Sequence, residues 1–184
     1  MQTIKLKKKT YLLEGYSIVG PLEGTGPLKD YFDYILKDDT LKESSFEKSE
    51  RKLLQDIVIG AINKSGLKFA DIDFFFGGDL LNQIVSSSYT ARELNLPFVG
   101  LYAACATMAE ALALGALFVD CGLCNHIVAA TCTHFSSAER QYRFPLEFAN
   151  QRPPTAQWTI TGGGASIISN IKSKIRINAV TFGK

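Results

Sequence analysis

The segment FVGLYAACATMAEALALGALFVDCGLCNHIVAAT, residues 98–131, decides the fold. It opens with FVGLY (98–102), a short apolar run after Pro97 that reads as a strand. CATMAEALALGALFV (105–119) follows. Its many small residues and single charge predict a helix buried on nearly all sides. HIVAAT (126–131) is apolar again and reads as a second strand. Strand, helix and strand in this order form a parallel crossover, and Cys105 stands where the first strand hands over to the helix.

Working outward, the same alternation extends in both directions. Residues 11–19 (YLLEGYSIV) read as a strand, followed by a Gly- and Pro-rich loop from Gly20 to Pro27. Residues 28–48 are polar and charged and read as a partly helical surface excursion. Leu53, Leu54, Ile57, Val58, Ala61 and Ile62 share one helical face, which predicts a helix over 49–65 with Ser49 as N-cap and Gly66 as stop. IDFFF (72–76) reads as a buried strand ended by Gly77-Gly78, and 82–94 as a helix. Residues 157–161 and 165–170 read as strands joined by a Gly162-Gly163-Gly164 turn, with a last strand over 174–181. Strands alternating with helices predict an α/β domain over 1–184, with a largely parallel, helix-covered sheet and an antiparallel edge.

Composition narrows the function classes. With 46% apolar and 21% charged residues the chain is ordinary for a globular domain, and its net charge of +2 argues against a dedicated nucleic-acid surface. The one basic cluster is Lys5, Lys7, Lys8 and Lys9. It reads as a solvated tail or, more sharply, as a weak attractor for an anionic membrane surface. Glu14, Gly15 and Ser17 interrupt any secretory apolar core. Pro97, Glu110, Asp120, Asn125 and His126 break the apolar runs short of the ~20 residues a membrane span needs. Cys105, Cys121, Cys124 and Cys132 are expected as reduced thiols.

Four positions are candidates for chemistry. A helix N-terminus offers free N–H groups and a positive dipole end, which favour a thiolate and an oxyanion, so Cys105 is a candidate nucleophile; a small buried thiol is the plain alternative. His134 and Asp79 each follow a strand end, where ligands of open α/β sheets collect. Arg140, with Arg143 and Arg152, offers a planar partner for a carboxylate, or else a solvated salt-bridge network with Glu139 and Glu147. Cys121-Gly122-Leu123-Cys124 lacks the second knuckle of a zinc site, and Asn125 stands where a c-type haem needs His. No metal and no cofactor are expected.

Several stretches together carry a resemblance: 77–120, 129–165, and within the latter AERQYRF (138–144) and QRPPTAQWT (151–159). They resemble a sporulation-associated branch of the thiolase and ketoacyl-synthase superfamily. The resemblance implies a thiolase-like fold, of which this chain supplies one βαβαβαββ half, the second half being absent. Cys105 in AACATM matches the superfamily's nucleophilic cysteine. Neither His126 nor His134 matches its catalytic histidines, so the resemblance implies a binding protein more than an enzyme. The implied ligand is dipicolinate (pyridine-2,6-dicarboxylate), bound in the pocket near Cys105; Asp79, His134 and Arg140 are the further ligand-binding candidates, from their own placement. The implied partners are other stage V sporulation proteins of the same operon at the inner spore membrane, with this protein peripheral on the cytoplasmic side. An acyltransferase loading Cys105 is the alternative. A purely structural half-domain, whose exposed apolar surface pairs with a partner or with a second copy as a homodimer, is the third reading.

Overall fold

The computed structural model describes residues 2–142, 155 and 159–183. Its elements are β1 (Gln2–Val19), β2 (Tyr34–Ile35), α1 (Phe46–Ser65), β3 (Phe74–Gly78), α2 (Val85–Leu94), β4 (Phe98–Gly100), α3 (Thr107–Cys121), β5 (His126–Thr133), α4 (Phe135–Tyr142), β6 (Gly162–Ser169) and β7 (Ile175–Phe182). One mixed sheet runs in the order β2-β1-β6-β5-β3-β4, and β7 pairs with β1. The expected parallel core is present, with β3 between β4 and β5, both parallel to it.

Strand alternation separates two apolar layers. Phe75 opposite Val128, and Ile167, face the helices α1 and α2; they pack with Leu53, Leu54, Ile57, Val58, Ala61 and Ile62, all buried. Phe76 opposite Ala129, with Ile127 and Ile168, faces α3. Phe76 also meets Phe118 of α3 edge-on at 5.0 Å. Each Phe or Ile so buried contributes about 1.5–3 kcal/mol.

The structure revises several expectations. Gly162-Gly163-Gly164 is no turn; it lies inside β6, between β1 and β5. A Cβ on Gly163 would come within 2.5 Å of the Thr131 carbonyl and 2.7 Å of Ile57 on α1, so close layer packing requires the glycine at 163. Of the strand expected over 157–161, residues 157 and 158 lie outside the described residues and 159–161 are not in a strand. The antiparallel component is therefore central, with a separate ribbon at the rim. The lysine cluster is no tail either: Lys5, Lys7, Lys8 and Lys9 lie in β1, whose outer part pairs with β7. Residues 28–48 hold one short helical turn, Lys29–Tyr31, and β2, with no α-helix before Phe46.

Helix starts shift for identifiable reasons. Ser45 caps α1 by accepting the Lys48 N–H, while Ser49 donates to the carbonyls of Thr40 and Ser45. Gly66 ends the helix as expected, at φ 75°. α2 begins at Val85, not at residue 82, because 79–84 form a turn organised by Asp79. α3 is buried on one face only, through Thr107, Ala111, Gly115, Ala116 and Val119, while Met108, Leu112 and Leu114 remain half-buried. The window Ala104–Cys121 is also long and apolar enough, by length and composition, to cross a membrane, despite Glu110 and Asp120. Here it packs against the sheet.

Candidate functional site

The carboxyl ends of β3 and β5, the start of β6 and the beginning of α3 meet around a cavity of about 640 Å³. Gly78, Asp79, Cys105, Thr131, Cys132 and Gly163 are among its walls. Gly78 lets the chain after β4 pass directly over the strand end: a Cβ there would sit 1.9 Å from the Leu101 carbonyl oxygen.

Cys105 lies in a tight turn, Ala104–Ala106, just before α3. Ala104 adopts φ +47°, a left-handed conformation that costs a non-glycine residue about 1–3 kcal/mol. The turn is held by Ala106 N–H to the Ala103 carbonyl at 3.0 Å and by Ala103 N–H to Thr107 Oγ1 at 3.1 Å. The result is an exposed, free thiol in the wall of the cavity.

Asp79 also lines the cavity, yet only 3% of it is exposed. Its Oδ1 accepts Leu81 N–H at 2.9 Å, and its Oδ2 accepts Ser87 N–H at 2.7 Å and Ser87 Oγ–H at 2.6 Å. Asp79 thus builds the turn into α2 and caps that helix. Burial raises its pKa against the pull of these donors.

The structure does not bring His134 or Arg140 to the cavity wall. His134 is fully buried. Its Nδ1 accepts Ser136 N–H at 3.1 Å, its Nε2 lies 2.8 Å from the Asp39 carbonyl, and its ring stacks on Phe46 with centroids 5.1 Å apart. An N–H pointing at Nδ1 and a carbonyl at Nε2 together assign the neutral tautomer protonated on Nε2. His126, the second histidine of the chain, pairs Nδ1 with Ser169 Oγ at 2.9 Å at the other end of β5. Arg140 reaches Glu47 at 2.8 Å and covers the Phe46 ring at 5.2 Å. Arg143, Glu147 and Arg152 lie outside the described residues.

Two features escaped sequence reasoning. Tyr142, at the end of α4, donates its hydroxyl to the Leu80 carbonyl at 2.7 Å and lies 3.1 Å from the Tyr102 hydroxyl. It ties α4 across the loop after β3, and burial with the Tyr102 contact raises its pKa to about 12. Glu50 is fully buried behind the cavity. Its Oε2 accepts His134 N–H at 3.0 Å and the Ser137 hydroxyl, while Oε1 has no partner among the described residues. Burial raises its pKa to about 7, and the charge of Asp79 adds to the shift against the pull of Ser137 and His134. A polar residue on the edge of an apolar helix face is the only sequence trace of it.

The remaining cysteines behave as structural thiols. Cys132 is buried beside Glu50 and Asp79, and burial pushes its thiol well above the usual range. Burial with the Asp73 charge lifts buried Cys124 to about 11, whereas Cys121 is exposed. Among the described residues no group of three His, Cys, Asp or Glu converges as a metal site.

The comparisons with known proteins agree with this geometry. The family model for stage V sporulation protein AD matches residues 1–184. Stage V sporulation protein AD of Bacillus subtilis (strain 168) is 39% identical over 183 residues, covering 100% of this chain and 54% of the relative. The chain thus spans about half the length of the curated relative it matches. Among solved structures, 3-oxoacyl-[acyl-carrier-protein] synthase III from Aquifex aeolicus VF5 superposes with a TM-score of 0.58 at 13% identity, covering 90% of this chain and 54% of that one. A cysteine-to-serine variant of Xanthomonas campestris OleA with bound lauric acid and lauroyl-CoA gives 0.58 at 11% identity, covering 88% and 56%. At such identities the likeness establishes the thiolase-like fold and nothing finer.

Proposed function

This chain belongs to the stage V sporulation protein AD family, and on that premise we propose that its cavity is one wall of a non-catalytic binding site for dipicolinate on that acid's route into the developing spore. The observation that carries the non-catalytic reading is the isolation of Cys105. It is exposed in the cavity wall, yet both histidines of the chain are engaged elsewhere, and Asp79 is locked into backbone and serine contacts. Among the described residues no base is positioned beside this thiol, and a nucleophilic enzyme needs one. The cavity is large enough for a flat aromatic dicarboxylate, whose volume is well below the ~300–1,000 Å³ typical of ligand pockets. No Lys or Arg lines it among the described residues, so in this reading a ligand carboxylate is met by the Thr131 hydroxyl, the Thr159 hydroxyl being donated to Glu139. In this reading the protein works peripherally on the cytoplasmic side of the inner spore membrane, with partners from the stage V sporulation A operon.

Calorimetry with dipicolinate, on this chain and on the Bacillus subtilis relative, tests the reading. Binding retained by Cys105→Ala and abolished by Cys105→Trp is the expected result, because the cysteine acts as floor and not as reagent. No heat from either protein overturns it.

An acyltransferase reading has its own support in the open thiol on a strained turn and in the acyl ligands of the OleA neighbour. The Cys105 thiolate would attack an acyl-CoA carbonyl, forming a new thioester as the C–S bond to coenzyme A breaks and coenzyme A leaves as a thiol. A mass increase on Cys105 after incubation with lauroyl-CoA supports this reading, and an unmodified Cys105 removes it.

A further inference from the structure

The charge of the chain is distributed far less evenly than its total suggests. Residues 1–12 and 170–184 hold eight of the twenty Lys and Arg and none of the eighteen Asp and Glu. The rest of the chain therefore carries twelve bases against eighteen acids. The fold brings the two basic segments together. Gln2–Lys5 pair with Ala179–Phe182, and Thr10–Leu12 with Ile175–Ile177, in one antiparallel ribbon with a bulge between them.

One face of this ribbon is occupied: Leu6 and Val180 are buried against Ala116 of α3. The cations lie elsewhere. Lys5, Lys7, Lys8, Lys9, Lys172, Lys174 and Arg176 are all exposed, and none forms a salt bridge among the described residues. Lys8 is partly engaged internally: its backbone N–H donates to Asp120 at 2.5 Å, and its ammonium lies beside Gly122 at the end of α3. That contact fastens the bulge and leaves Lys5, Lys7 and Lys9 to solvent. The same ribbon also exposes apolar side chains, Ile171 at 44%, Ile175 at 59% and Phe182 at 37%, with Ile175 on the strand position that alternates with Arg176.

We propose that this ribbon, residues 2–12 with 171–182, is a docking surface for an anionic phospholipid membrane. Cations that merely kept the strand edges from pairing with another chain would need no exposed Ile or Phe on the same ribbon. A headgroup layer takes both: phosphates meet the ammonium groups while the apolar side chains enter the acyl boundary. A duplex offers no counterpart to Ile175 and Phe182. The ribbon packs on α3 at Ala116, about 14 Å along the helix axis from Thr107 in the cavity wall. The proposal rests on the membrane placement given above, but not on its ligand.

Flotation of the whole chain with vesicles tests it without any protein partner. Binding to vesicles containing phosphatidylglycerol, loss at high salt and no binding to phosphatidylcholine alone are expected. Lys5→Gln, Lys7→Gln and Lys9→Gln together should lower partitioning about 100-fold, from roughly 1 kcal/mol per lysine. Ile175→Ser should lower it several-fold further. Lys29→Gln, Lys37→Gln and Lys42→Gln together remove the same charge elsewhere and should leave most binding in place. Equal loss in both triple variants, salt-insensitive binding or equal binding to neutral vesicles overturns the proposal. So does tighter retention by duplex DNA than by vesicles. Should the first triple variant fail to fold by circular dichroism, Lys7→Gln alone and the salt dependence of the wild type decide. Failure here leaves partner-mediated placement and the dipicolinate reading standing, because neither calorimetry nor partner binding uses lipid.

Discussion

Glu50 Oε2 accepts the backbone N–H of His134 at 3.0 Å, and this bond ties the first turns of α1 to the junction between β5 and α4. The same carboxylate accepts the Ser137 hydroxyl in the first turn of α4. One buried acid on a helix otherwise devoted to apolar packing therefore sets where α4 leaves the sheet. Through Tyr142 it also influences how α4 rests on the loop beside the cavity.

That carboxyl makes stability depend on pH. Its folded pKa of about 7 lies above the ordinary value of 4.5, so the folded state binds the proton more tightly than the unfolded state. Stability contributed by the protonated form is fully present below about pH 4.5 and is lost as pH rises through about 7. Urea denaturation across that window should show wild-type stability falling with pH by up to about 3 kcal/mol. Glu50→Gln, which keeps an acceptor for His134, should flatten the slope. An unchanged slope would show that Glu50 is not the titrating group.

The four cysteines divide by burial. Cys105 and Cys121 are exposed, Cys124 and Cys132 buried. Iodoacetamide on the native protein should therefore add two groups, mapped by mass spectrometry to Cys105 and Cys121, and four after denaturation. Rapid native labelling of Cys132 would contradict the packing of β5 beneath α1.

Gly163 has no room for a side chain. Gly163→Ala forces a Cβ toward the Thr131 carbonyl and Ile57. It should cost about 1–3 kcal/mol, as overpacking does, read as a lower thermal midpoint. Gly183→Ala, where nothing lies within 4 Å, is the neutral control.

Removing the Tyr142 hydroxyl separates positioning from chemistry. Tyr142→Phe loses the bonds to Leu80 and Tyr102 and should cost about 1 kcal/mol of stability. If dipicolinate binds the cavity, its affinity should fall only a few-fold, since Tyr142 holds the loop. A complete loss of binding with stability intact would make Tyr142 a direct ligand contact.

Much of the fold was legible because its signals are local. The α1 face from Leu53 to Ile62, the Gly66 stop and the buried FFF of β3 follow from periodicity and from the left-handed freedom of glycine. The βαβ order around Cys105 was legible for the same reason. The glycine run at 162–164 misled because, within a short window, a run that forms a turn and a run that lets layers approach look alike. Only Thr131 and Ile57, distant in sequence, distinguish them. The candidate site divided likewise. Cys105 and Asp79 do line the cavity, but the bonds of Asp79 to Leu81 and Ser87 turn its oxygens into a helix cap. His134 stands at a strand end, as the order of elements requires, yet its ring is consumed by Asp39, Ser136 and Phe46.

The sequence by itself determined the element order, the two-sided apolar strands and the place of Cys105 between strand and helix, because each depends on residues a few positions apart. The tertiary structure alone decided which side chains share the cavity, that Glu50 is buried at the α4 junction, and that two basic segments some 160 residues apart form one ribbon. Those facts depend on strand pairing and desolvation between distant segments, and neither leaves a periodic trace along the chain.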